Sequence, residues 1–187
     1  ENMPVQKGCL DKPVRRIRFE HVCFTYPCSE KEVLHDINFE LDVSQSTAVV
    51  GGNGSGKTTI IKLLCGLYQP TSGRILFDDC DLKNLSSSEI GKVIKVVFQD
   101  FFQYEMTIRE NIGFGNLDRI SHDMELQNVL DAVHLEELKR LGLDTPLGKL
   151  EPAGIDLSRG QWQRLAVSRI FLNDTGFAVL DELTASV

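Results

Sequence analysis

An α/β fold is predicted for this chain by three observations. Short apolar runs of strand character alternate with helical ones, as in FAVL, which follows the helical stretch Ser158–Asn173. A glycine-rich turn joins one such run to a helix. The middle section, roughly 101–156, switches to helical periodicity and reads as an insert in the α/β core. With 187 residues the chain can bury one sizeable core.

Residues 1–14 are polar, carry Pro4, Gly8 and Pro13, and read as a linker. IRFEHVCFTY then alternates in part and predicts a strand on a half-exposed sheet, with Arg15, Arg16 and Arg18 on its solvated side. Val33–Leu41 alternates again and is expected to pair with it. STAVV is expected as a short buried strand, followed by a helix over Lys57–Leu67 that is apolar nearly all round. Pro70, Ser72 and Gly73 mark a turn before a strand at Arg74–Phe77. Val93–Phe98 is almost continuously apolar, as in an interior parallel strand. Thr107–Ile112 and Ser121–His134 read as helices, the latter with Leu126, Val129, Leu130 and Val133 on one face. Ser158–Asn173 repeats the pattern with Trp162, Leu165, Ala166, Arg169 and Ile170, and FAVL closes as a short buried strand.

Composition narrows the function. Apolar residues make up 42% and charged residues 25%, ordinary for a soluble globular domain. A net charge of −7 argues against a broad nucleic-acid footprint. No apolar run is long enough to span a bilayer. The five cysteines are odd in number and form no CxxC pair, which fits a reducing compartment rather than a disulfide framework or zinc site. His21 and Cys23 lie two apart, but the sequence offers no second ligand pair at suitable spacing.

The strongest motif is Gly51–Thr59, GGNGSGKTT, between an apolar run and a helix. Its glycines let backbone N–H groups approach phosphate oxygens, and the helix N-terminus adds positive potential. Gly51, Asn53, Gly54, Ser55 and Gly56 would form the cradle. Lys57 would reach the β- and γ-phosphates, the Thr58 hydroxyl would take Mg²⁺, and Thr59 would face the α-phosphate. FAVLDE supplies a second element: Asp181 at the strand end would hold Mg²⁺, and Glu182 would orient or deprotonate an attacking water. In LSRGQ, Ser158 and Gln161 match a capping box. Gly160 weakens that helix, a cost a close phosphate approach would explain.

GGNGSGKTT, Gln99 after VVF, LSRGQ and FAVLDE, in this order, resemble the ATP-binding-cassette (ABC) ATPases over essentially residues 15–187. The resemblance implies a P-loop NTPase (RecA-like) core with an antiparallel β subdomain and an inserted α-helical subdomain at about 101–156. The signature helix would run over about 158–173. It implies ATP and Mg²⁺ as ligands, Tyr26 of FTYP stacking on adenine, and Gln99 touching Mg²⁺ and sensing a membrane partner. Lys57, Gln99 and Glu182 would be catalytic, with Thr58, Gln99 and Asp181 at the metal. Leu157, Ser158, Arg159, Gly160 and Gln161 would meet ATP held by a second cassette in a head-to-tail dimer.

FQDFFQYEMTIRENIGFG and LGKLEPAGIDLSRGQWQRLAVSR are similar to segments of exporter half-transporters of the bacterial peptide and lantibiotic type. Residues 1–14 would then lead from a transmembrane domain, with the cassette on the cytoplasmic face. A soluble non-transport ABC ATPase, a regulatory cassette with little hydrolysis and an interaction domain are the rival readings. Three departures stand out: Arg159 in place of the first signature Gly, Leu183 in place of Pro, and a chain end inside what resembles the D-loop. All four histidines precede Glu182, so the family's switch histidine is not among them. The expectation is a truncated cassette that binds nucleotide weakly and turns over little.

Overall fold

The computed structural model describes residues 10, 13–150, 152–172 and 176–181. The chain forms two compact units: residues 1–95 with 175–179, and residues 96–174 with 180–187.

The first unit is built on a four-stranded sheet in the order β2-β1-β3-β4. Its strands are β1 (Arg16–Thr25), β2 (Glu32–Asp42), β3 (Ser72–Phe77) and β4 (Cys80–Asp81). The expected pairing of the first two strands is present and antiparallel, as is β1 with β3. Alternation in β1 sends Ile17, Phe19, Val22 and Phe24 inward, and Phe19 stacks on Phe39 with ring centroids 4.4 Å apart. The register slips near His21, which has φ 51°, and near Asp36, with φ 46°. Gly73 is required beside that bulge: its φ is +78°, and a Cβ there would sit 2.2 Å from the His21 carbonyl oxygen. Helix α1 (Lys57–Leu64) buries Thr59, Leu63 and Leu64. Helix α2 (Ser87–Val93), which no expectation covered, opens on a complete capping box between Ser86 and Glu89.

The second unit holds α3 (Ile108–Gly113), α4 (Asp123–Ala132), α5 (Glu136–Leu141) and α6 (Arg159–Phe171). Leu126, Val129, Leu130 and Val133 are buried, as their spacing predicts, and join Ile108, Ile112, Leu138, Trp162 and Leu165 in one core. Thr107 and Glu110 form the capping box of α3. Strands β5 (Ile94–Val97) and β6 (Phe177–Leu180) make a two-stranded sheet.

Three expectations are corrected. STAVV is not a strand: residues 46–50 are irregular, and Val49 and Val50 are 53% and 88% exposed. No described strand pairs with them, so their apolar side chains have nothing to pack on and their backbone has no ladder to join. FAVL is a strand, β6, but alternates between half-buried and exposed positions because it has β5 as its one described neighbour. The fit to a reducing compartment is the third: Cys23, Cys28 and Cys65 are free, whereas Cys80 is disulfide-bonded. Among the described residues no helix is long and apolar enough to cross a membrane.

Candidate nucleotide site

The phosphate loop runs irregularly from Gly51 to Gly56 and leads into α1. Residues 51–55 are exposed. Gly54 and Gly56 have φ of 76° and 96°. At Gly56, the N-cap of α1, no side chain caps the helix and the first turn carries no acidic residue. The positive end of the helix dipole therefore opens onto the loop with no acidic side chain in the helix's first turn. Lys57 arches back over the loop, its Nζ donating to the Gly51 carbonyl at 3.0 Å and the Gly52 carbonyl at 3.1 Å. The ammonium is thus held above the same backbone that would wrap a phosphate chain.

Within the loop, Gly56 is the glycine where a side chain is least tolerated. Its backbone is left-handed, and a Cβ would lie 2.6 Å from Leu34 Cδ2. Gly56→Ala is expected to destabilise the fold by about 1–2 kcal/mol from the backbone strain and to weaken nucleotide binding. Thermal unfolding and ATP titration of the variant check both, and a variant matching the parent in both refutes this role.

Tyr26 and Thr59, two of the expected ATP contacts, are brought together: their hydroxyls lie 3.0 Å apart. Thr59 is buried, whereas Thr58 is half-buried. The Tyr26 ring stands edge-on to Phe24 and Tyr68 at 4.8 and 5.3 Å, with Lys62 Nζ 5.6 Å from its centroid. The tyrosine is therefore fixed by local packing at the rim of the first unit's core and remains half-exposed.

In the second unit, Gln99 is exposed at a bend two residues beyond β5. Asp181 follows β6 and is buried, and its amide donates to the Val97 carbonyl at 2.9 Å. That bond places the C-terminal ends of β5 and β6 together, so the chain delivers Gln99 and Asp181 to the same end of the sheet. Glu182 lies outside the described residues.

The LSRGQ stretch forms the start of α6. Leu157 is buried and anchors the approach. Ser158 is the N-cap: its Oγ accepts from the Gln161 amide at 3.3 Å, and Gln161 Oε1 accepts from the Ser158 amide at 2.8 Å. Gln161 Nε2 also donates to Glu137 at 3.0 Å, the leading cause holding that carboxyl below its usual range. Ser158 and Arg159 are exposed and Gly160 is half-buried, so the helix start is capped yet accessible.

One supporting network escaped sequence reading. Arg169 of α6 donates from Nε to the Asn111 backbone oxygen at 3.0 Å and from Nη2 to Asn111 Oδ1 at 3.1 Å, and lies 4.7 Å from the Tyr104 ring centroid. Buried Asn111 in turn donates to the Tyr104 and Thr107 carbonyls at 2.9 and 3.0 Å. This ties the segment after Gln99 to α3 and α6. Burial lowers the Arg169 pKa. The available signal was an arginine on the apolar face of a predicted helix.

Fold and sites together define a nucleotide-binding cassette, and comparison with known proteins agrees. The family profile described as "ABC transporter" matches residues 34–185. The chain belongs to the ABC transporter family. It is 38% identical over 184 residues to the subtilin transport ATP-binding protein SpaT of Bacillus subtilis, spanning 97% of this chain and 30% of that protein. It is 40% identical over 174 residues to the nisin transport ATP-binding protein NisT of Lactococcus lactis subsp. lactis, spanning 91% and 29%. A solved bacterial Atm1-family ABC exporter with ATP bound superposes with a TM-score of 0.82 at 29% identity, covering 93% of this chain and 30% of that one. The chain therefore spans about 30% of the length of the relatives it matches.

Proposed function

We propose that this chain is the cassette of an exporter that binds ATP and Mg²⁺ and hydrolyses ATP to drive a substrate across a membrane. The carrying observation is the phosphate loop, with Lys57 folded over the Gly51 and Gly52 carbonyls at the start of an uncapped helix. In this reading the cassette lies at the cytoplasmic face, joined to a transmembrane domain, and works head to tail with a second cassette. Relatives named for subtilin and nisin transport, and a lipid A-core flippase of Nitrosococcus oceani 40% identical over 174 residues, support export over a soluble ABC ATPase.

The donors proposed for Mg²⁺ are the Thr58 hydroxyl, the Gln99 amide oxygen and the Asp181 carboxylate. All are hard oxygen ligands suited to that ion. When bound, Mg²⁺ would supply positive charge that offsets the charge of the phosphates. The residues do the rest. The loop amides and Lys57 hold the phosphates, Tyr26 supports the base, and Ser158 and Gly160 meet the γ-phosphate on the partner cassette. Glu182 takes a proton from the attacking water.

The test is phosphate release from ATP by the full-length protein in lipid vesicles. Hydrolysis should require Mg²⁺, stop on chelation with EDTA and return when Mg²⁺ is restored. A full-length protein that releases no phosphate from ATP in the presence of Mg²⁺ overturns the proposal.

A further inference from the structure

The antiparallel sheet assembles a second cluster of ligating side chains, within the first unit and distinct in its residues from the nucleotide contacts. Cys23 of β1 and Glu32 and His35 of β2 offer a thiol, a carboxylate and an imidazole whose ligating atoms all lie within 4.8 Å of one another. Sequence spacing did not suggest this set, because its members come from two strands and meet only through the β1–β2 register. That register is irregular here: Val22 pairs with Ile37 but Phe24 with Leu34, so the chain slips at Cys23. Asp36, in a left-handed conformation, directs its amide at the Cys23 sulfur, 3.2 Å away. Glu32 Oε2 lies 3.0 Å from His35 Nδ1.

We propose that Cys23, Glu32 and His35 bind one zinc-class divalent cation. One sulfur, one nitrogen and one oxygen donor match the mixed sets zinc accepts, and three protein ligands leave a fourth tetrahedral position for water. The charges balance: a thiolate and a carboxylate neutralise the divalent ion. Binding forms a metal–sulfur bond and releases the Cys23 thiol proton to solvent. The required closure of the ligands is small and falls on exposed groups, since the side chains of His35 and Glu32 are 84% and 44% exposed. The Asp36 amide would remain as the outer contact that orients the sulfur. Tyr26 follows Cys23 by three residues, so the ion would pin the end of β1 that leads into the Tyr26 turn to β2.

Cobalt(II) reports the site directly, through its thiolate charge-transfer band and the strong visible bands of tetrahedral coordination. The 187-residue chain, purified without added thiols, is titrated with Co²⁺. The bands should saturate at one equivalent and bleach when Zn²⁺ is added. Cys23→Ser should abolish the thiolate band. Glu32→Gln and His35→Ala, both at exposed positions that leave folding intact, should weaken cobalt affinity by about tenfold or more. Cys28→Ser, which replaces an exposed free cysteine outside the cluster, should titrate as the parent. Absence of the bands in the parent, persistence of the thiolate band in Cys23→Ser, a cobalt affinity unchanged in Glu32→Gln or His35→Ala, loss of the bands in Cys28→Ser, or failure of Zn²⁺ to bleach them each overturns the proposal.

Discussion

Lys57→Ala is expected to lower ATP turnover of the full-length protein by about 10²–10³-fold, the usual cost of removing one preorganised charge-stabilising donor. Two losses combine. The ammonium that in the proposed mechanism would offset developing phosphate charge disappears, and so do the two hydrogen bonds that fold the side chain over the Gly51 and Gly52 carbonyls. Nucleotide affinity should fall along with turnover, because in that mechanism the same cation would hold the phosphates in the ground state. Lys57→Arg should not restore activity: a planar guanidinium fork cannot substitute for a compact ammonium held between two carbonyls of a tight loop. Thermal unfolding without nucleotide should change little, since these contacts are solvent-exposed. Phosphate release and ATP titration decide the matter; unaltered turnover in Lys57→Ala removes Lys57 from the mechanism.

Glu182→Gln is expected to leave ATP binding intact and reduce turnover by about 10²–10⁴-fold, the range for loss of a general base. The amide keeps the shape of the side chain and loses its ability to accept a proton. Asp181, the preceding residue, is buried at the end of β6 with its amide tied to Val97. Removal of its carboxylate should therefore act differently, weakening Mg²⁺-dependent binding rather than the proton transfer. Measuring ATP retention and phosphate release on the same Glu182→Gln preparation separates the two roles. Normal hydrolysis by that variant would assign the base elsewhere.

The phosphate loop was legible because its chemistry is local. Glycines that turn the backbone, a lysine placed to fold back and a helix to follow all lie within nine consecutive residues, Gly51–Thr59. The capped start of α6 was legible for the same reason, since Ser158 and Gln161 satisfy each other across three residues. The periodic face of α4 was also readable, because every contact in its stripe repeats at helical spacing. Val49 and Val50 were misread: an apolar run records a preference for burial, whereas burial itself requires a neighbour, and no described strand supplies one.

The sequence by itself determined the local devices of this ABC-family chain: the phosphate loop, the cap of α6 and the pairing of β1 with β2. Tertiary structure decided what depends on distant residues meeting. It joined the Tyr26 hydroxyl to Thr59 and set Asp181 beside Val97. It tied Arg169 to Asn111 and Tyr104, and gathered Cys23, Glu32 and His35 at a slipped register. The physical reason is that hydrogen bonds and metal ligation act over a few ångströms of space, and spacing along the chain reports that distance only within a single turn, loop or helix.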